Sequence, residues 1–409
     1  MAYHPIVQEL EHLLWEVDDL EQAVRNALKY NIPEMETYGI TSATGFFDYA
    51  NWLVTGWIPT ESAKGRDIYY ILCIFYFVLS QPPLGPRQTQ INPKNVNKPL
   101  TPLSEWVVKF AKEVGSHLSK EGSINEASFL TFQNSPKYRV YEAEVPKGGF
   151  KTFNQFFCRS LKQPRPIAEP DNDRIVTFPA DSTFAGAFHI TDESVVELKA
   201  LPWKVKDLLA DAGEYADLFK NGVWMHTFLN TFDYHRQHAP VSGKVLVAKV
   251  IQGAAYLEVV VKQDEKGSRR LAPVRRIARS RRKEKMSPSG VYTVDAPDNP
   301  GYQFLQTRGL ILIDNPKLGK VAVLPIGMAQ VSSVVIKENL EGQDIKKGDE
   351  ISHFEFGGSD CVMLFEEKAR VSNFPDSDAG KHFFYGEKLA TAHYKEEGAT
   401  LAIHRPLDA

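Results

Sequence analysis

The stretch Gly348-Asp349-Glu350-Ile351-Ser352-His353-Phe354-Glu355-Phe356-Gly357-Gly358-Ser359-Asp360-Cys361-Val362-Met363-Leu364-Phe365 decides the fold class. Alternation of apolar and polar residues marks a half-buried strand, so two strands flank a Gly-Gly-Ser turn. Paired glycines inside a strand pattern mean a turn or a bulge. Working outward, short β-rich runs separated by turn residues recur at 175–178, 183–190, 244–250, 256–261, 310–313, 321–325 and 331–336. Between them, 204–219 is the best helix candidate, and no internal repeat is visible. Residues 151–409 therefore read as an α+β domain with mostly antiparallel sheet.

The texture ahead of this domain is different. Ile6, Leu10, Leu13, Leu14, Val17, Leu20, Val24 and Leu28 follow three-and-four spacing, which predicts one helix over 5–28 with Pro5 in its first turn. A second helix is expected at 68–79. A third opens at Thr101-Pro102 and buries Leu103, Trp106, Val107, Phe110, Val114 and Leu118. Residues 81–100 hold five prolines and read as a long loop. Residues 1–150 thus form a mainly helical N-terminal domain, and the whole chain is α+β.

Composition narrows the function classes. Of the 409 residues, 43% are hydrophobic and 24% charged, the mix of a folded globular chain. Lys plus Arg number 48 against 51 Asp plus Glu, so no global charge draws the protein to nucleic acid. Three scattered cysteines, Cys73, Cys158 and Cys361, fit neither a disulfide framework nor a structural zinc site, and a cytoplasmic location is expected. Acidic residues interrupt the first 20 positions, unlike a signal peptide. The longest apolar run, 68–79, would span about 18 Å as a helix against roughly 30 Å of hydrocarbon, so it reads as a core helix. Residues 266–285 carry ten basic residues and one acid, Glu284. This segment reads as a mobile basic loop, solvated or in peripheral contact with an anionic membrane. It has no aromatic residue on which bases could stack.

Three places combine reactive side chains with turns. Phe178-Pro179-Ala180-Asp181-Ser182 ends an apolar run with a carboxylate beside a hydroxyl; alone, Asp181 reads as a turn residue. Tyr234-His235-Arg236-Gln237-His238-Ala239-Pro240 holds two histidines three apart. As metal ligands they lack the glutamate of H-E-x-x-H and a third ligand at a familiar spacing, so no metal is expected. At Gly357-Gly358-Ser359 an unhindered carbonyl precedes a hydroxyl, where a strained peptide can be attacked from within. A hydrolase elbow needs G-x-S-x-G, and Cys361 stands where its second glycine belongs.

Taken together and in this order, Pro179-Ala180-Asp181, Tyr234-His235-Arg236 with His238 and Pro240, and Phe356-Gly357-Gly358-Ser359 resemble the motifs of the pyruvoyl-dependent phosphatidylserine decarboxylase family. The resemblance covers about 153–390, with Phe156-Phe157-Cys158-Arg159 and Lys347-Gly348-Asp349. The N-terminal portion and the wording His238-Ala239-Pro240-Val241 are most similar to the branch that includes soluble L-tryptophan decarboxylases. The resemblance implies a proenzyme cut between Gly358 and Ser359 whose two chains stay associated. Ser359 attacks the Gly358 carbonyl, and the resulting ester eliminates and hydrolyses to a pyruvoyl group, so neither pyridoxal phosphate nor a metal is needed. By the same resemblance His238 takes the serine proton and Asp181 orients His238. His235 is then the substrate-binding residue of the second stage, in which the substrate amine forms a Schiff base with the pyruvoyl ketone and loses carbon dioxide. The departure is Asp360, where the family more often has Ser or Thr.

Two substrates suit this chemistry: a free amino acid, with an aromatic L-amino acid such as tryptophan favoured, or phosphatidylserine of phospholipid biosynthesis. Readings of other classes are an uncleaved, non-catalytic homologue, a serine hydrolase using Ser359, His238 and Asp181, or a lipoyl-type carrier module. The last needs a lysine at the hairpin tip, where this chain has Gly-Gly-Ser.

Overall fold

The structure, a computed structural model, describes residues 2–14, 17–198, 201–257, 259–263, 269–273, 301–328 and 334–395. Of the basic stretch 266–285, all but 269–273 lies outside the described residues, as do 331–333 of the strand expected at 331–336.

The N-terminal part is helical: Pro5–Leu13, Val17–Leu28, Pro33–Thr37, Ala43–Thr55, Asp67–Leu79, Pro102–Leu118 and Glu126–Gln133. A helix apolar all round belongs at the centre of a bundle, and in Asp67–Leu79 Ile68 and every residue from Ile71 to Leu79 are buried. Its Phe75 stacks on Phe46 of Ala43–Thr55 and, at 4.7 Å, on Phe110 of Pro102–Leu118. The latter helix buries the six positions that its spacing marked. The single helix expected over 5–28 is instead two. Leu14 closes the first at ψ +9°, outside helical backbone; Pro5–Leu13 packs on Pro102–Leu118 and Ala43–Thr55, and Val17–Leu28 on Ala43–Thr55 and Asp67–Leu79.

The following part is built on an eight-stranded sheet whose neighbouring strands are all antiparallel. Its order is Asp344–Ile345, Gly243–Ile251, Arg308–Asn315, Gly319–Met328, Gly358–Phe365, Val223–Leu229, Ser182–His189, His382–Phe383. Gly358–Phe365 lies inside this sheet, paired on both sides. Its alternate residues serve two cores: Cys361, Met363 and Phe365 one, Val362 and Leu364 the other. Because both faces are covered, Val223–Leu229 is buried nearly throughout and does not alternate, which is why periodicity missed it. A smaller sheet joins Val334–Ile336, Glu350–Phe354 and Arg236–His238 and carries the histidine motif.

The helix expected at 204–219 is also corrected. Val205–Leu209 is α-helical, but Ala210 has φ +52° and a 3-10 segment, Ala210–Phe219, follows. The buried Arg308 donates to the carbonyls of Leu208 and Asp207 at 2.8 and 2.9 Å, satisfying the groups that a continued helix would have bonded.

Candidate active site

Ser359 is the second residue of the Gly358–Phe365 strand and is fully buried. The ladder fixes its backbone, with Gly327 opposite on one side and Leu229 on the other. Two residues earlier Gly357 has φ +150°, which side chains disfavour, so the turn into the strand needs a glycine. The Ser359 hydroxyl lies 3.3 Å from Nδ1 of His235.

His235 precedes the Arg236–His238 strand and is enclosed. Its ring stacks on Phe157 at 3.9 Å, and its carbonyl accepts the Phe354 N–H at 2.9 Å and the Gln237 amide at 3.0 Å. Burial pushes its pKa down to about 3; the Asp233 carboxylate pulls the other way. It is therefore a neutral imidazole at ordinary pH. The Asp233 carboxylate shapes the loop before it, accepting from the Asn230 N–H at 2.6 Å and facing His382 Nε2 at 3.0 Å.

His238 makes no hydrogen bond to Ser359. Its Nδ1 lies 2.7 Å from the Gly348 carbonyl, which only accepts, so the proton sits on Nδ1 and Nε2 is left to take the Tyr234 hydroxyl at 3.1 Å. The ring lies flat on Tyr385 at 3.7 Å. Burial lowers its pKa to about 4.

Asp181 does not hydrogen-bond to His238 either. The Arg165 guanidinium holds it through two bonds, Nε at 3.1 Å and Nη2 at 2.6 Å, and the Tyr385 N–H adds a third at 2.9 Å. Burial pushes the carboxyl up to about 6 against the pull of that guanidinium. Asp181 and His238 thus meet through Tyr385, one on its backbone and one on its ring. The structure thus brings together Ser359 with His235, and His238 with Tyr234, Tyr385, Asp181 and Arg165, and shows no direct hydrogen bond along the expected Asp181-His238-Ser359 order.

Sequence reasoning missed Arg165 and Tyr385. Arg165, between two prolines, carried a signal of a fixed, extended segment; Tyr385, in a loop far along the chain, carried none. Asp360, the departure from the family pattern, faces away from the Ser359 hydroxyl, as successive residues of a strand must. It is fully buried, accepts the Tyr302 hydroxyl and lies 3.1 Å from His226 Nε2.

What the two groupings can do is bounded by their chemistry. A buried hydroxyl against a neutral imidazole, directly after a glycine carbonyl, has the make-up that nucleophilic attack on that carbonyl requires. Among the described residues no group of three or more His, Cys, Asp or Glu is arranged to hold a metal ion.

Comparison with known proteins places these motifs in a family. The profile described as phosphatidylserine decarboxylase matches residues 153–391. The chain is 32% identical over 266 residues to phosphatidylserine decarboxylase proenzyme 3 of Schizosaccharomyces pombe, a match spanning 63% of this chain and 24% of that protein. It is 28% identical over 284 residues to decarboxylase iboD of Amanita muscaria, 66% of this chain and 76% of that one. A phosphatidylserine decarboxylase proenzyme of Pseudoalteromonas atlantica is 26% identical over 294 residues, 67% and 90% of the two chains. The match thus covers about a quarter of the fission-yeast protein and most of the Amanita and bacterial ones. With the profile spanning more than half of its length, this chain belongs to the phosphatidylserine decarboxylase family.

Proposed function

We propose that the chain is a self-processing, pyruvoyl-dependent decarboxylase of an α-amino carboxylate, cut between Gly358 and Ser359. The observation that carries this reading is the Ser359 hydroxyl on His235 Nδ1, in the strand that follows the Gly357-Gly358 turn. Here the structure-based assignment of the histidines departs from the one that the motif order implied.

In the first stage His235 Nδ1 accepts the Ser359 proton as Oγ attacks the Gly358 carbonyl carbon; the peptide C–N bond breaks, leaving an ester and a free amine on residue 359. Loss of the Ser359 Cα proton then breaks the Cβ–O bond, freeing the Gly358 carboxylate. Water replaces the amine, which leaves as ammonia, and residue 359 keeps a ketone. Ser359 fits this conversion: it is enclosed, its hydroxyl has a base, and both neighbouring strands hold its backbone while the bond before it breaks.

In the second stage the pyruvoyl group supplies a ketone that bonds the substrate amine and draws off the electrons left by departing carbon dioxide. His238, held neutral with its Nδ1–H on Gly348, is the proton-handling residue of this stage. Tyr234 sits on its Nε2, and Asp181 fixes the Tyr385 segment against its ring.

The substrate favoured is a free aromatic L-amino acid. Support comes from the aromatic rings Phe157 and Phe354 beside His235. Phosphatidylserine is the second reading, favoured by the names of most relatives quoted above, with 266–285 as its contact to an anionic surface. No helix among the described residues is long and apolar enough to cross a membrane.

The test compares carbon dioxide release from tryptophan, tyrosine and phenylalanine with release from phosphatidylserine vesicles at low and high salt, without added pyridoxal phosphate. Release from a free amino acid, blocked by ketone-trapping reagents, is expected. Turnover only with vesicles, lost in salt, would reverse the order of the two substrates.

A further inference from the structure

Residues ahead of 153 lie outside the span that the family profile matches, yet their core runs into the site. One apolar cluster joins Phe46, Phe75 and Trp106 of the helices to Phe354, Phe356 and Leu229 around Ser359. Two contacts within it converge on Phe356, three residues before the serine. The buried Asn154 accepts the Phe356 N–H at 3.0 Å, and its amide donates to the Gly115 carbonyl at 3.2 Å and to Ser119 Oγ at 2.8 Å, at the end of Pro102–Leu118. Trp57, whose carbonyl lies 2.8 Å from His117 Nε2 of the same helix, sets its ring edge-on to Phe356 at 5.2 Å. Phe356 in turn meets Phe157 at 5.3 Å, the ring on which His235 stacks.

We infer that the helical portion is an intramolecular maturation clamp: through Asn154 and Trp57 it fixes Phe356, and so the Gly357-Gly358 turn, in the geometry that self-cleavage needs. The physical reason is conformational. Attack of a side chain on its own preceding carbonyl succeeds only from a narrow set of geometries, and two glycines widen the set available. Misplacement of reacting groups by about 1 Å can cost on the order of a hundredfold in rate. Fixing the backbone N–H and the ring of Phe356 removes that freedom from one end, while the ladder at Ser359 removes it from the other. Trp57, Ser119 and Asn154 are positioning residues, since none of them touches the reacting atoms.

The inference rests on the self-cleavage proposed above, and the experiment separates the two. Full-length protein is made as a short radiolabelled pulse in cell-free translation, and the appearance of fragments 1–358 and 359–409 is followed. Trp57→Ala and Asn154→Ala are expected to cut roughly tenfold slower than the unaltered chain, within the span that misplacement allows. Trp57→Phe, which keeps an aromatic edge, should restore most of the rate. Ser119→Ala, at an exposed position, removes one bond to Asn154 without threatening the fold and should slow cutting about threefold with an unchanged melting temperature. Once cut, Ser119→Ala should show unaltered kcat and KM. If the unaltered chain cuts and Ser119→Ala and Trp57→Ala match its rate, the clamp is overturned and the decarboxylase reading stands. An unaltered chain that never cuts overturns both.

Discussion

The two histidines of Tyr234-His235-Arg236-Gln237-His238 lie three residues apart, His238 closing the Arg236–His238 strand and His235 just ahead of it. The structure puts His235 at 3.3 Å from the Ser359 hydroxyl and His238 against Tyr234 and Tyr385. We therefore expect Ser359→Ala and His235→Ala to remain uncut, and His238→Ala to cut but turn over at least a hundredfold more slowly, on the order of the loss when a general acid–base group is removed. Gel electrophoresis and carbon dioxide release report the two effects separately, and an uncut His238→Ala chain would return the first role to His238. The pH profile follows from burial. A histidine pKa of about 3 keeps the imidazole neutral as the pH falls well below 6.5, so the rate of cutting should be flat between pH 8 and 5, where a solvated histidine would lose activity near 6.5. A decline centred near 6.5 in pulse-labelled protein would contradict it. Asp360→Ala should act on stability rather than on chemistry, removing the buried carboxylate that accepts the Tyr302 hydroxyl and lies beside His226 at a cost of about 1–3 kcal/mol, read from denaturant melts of the Ser359→Ala background. The residue types of the site were legible in the sequence. Which histidine meets the serine was not, because that depends on the separate sheet that carries the motif and on a register shift between Glu350 and Ser352.

At the scale of elements, what could be read followed periodicity. Asp67–Leu79 and Pro102–Leu118 came out within a residue of expectation, since each has a long run of evenly spaced apolar positions. Val223–Leu229 was invisible because a strand covered on both faces loses its alternation, and Ala210 broke an apparent helix through a positive φ that spacing does not encode. The turn at Gly357 is where local geometry and chemistry meet. Gly357→Ala forces a side chain into a conformation that costs about 1–3 kcal/mol, so it should slow cutting or shift the strand, visible as persistent full-length chain. Beyond the turn, Gly358–Phe365 is held by two ladders and buries Cys361, Val362, Met363, Leu364 and Phe365. A cut at its start removes none of those contacts. We expect the two fragments to co-elute in native gel filtration and to part only in denaturant; separate native elution would count against the proposed register of the cut.

For the whole molecule, the helical portion and the sheet share one apolar cluster, which runs from residues outside the family span to Phe354, Phe356 and Leu229 near Ser359. Composition and charge had confined the chain to a folded globular class without global affinity for nucleic acid, and the fold agrees with the α+β reading. The joining of the two parts through Asn154 and Trp57 was not legible, because neither residue has a local pattern that names its distant partner. All of this depends on one covalent event. An intact-mass spectrum of the purified protein under denaturing conditions tests it directly. Two masses are expected, residues 1–358 with a free carboxyl end and residues 359–409 with a ketone in place of the amino group, which a carbonyl-specific hydrazide reagent would tag. A single mass for the uncut chain, unchanged after long incubation of folded protein, would contradict the account at its centre.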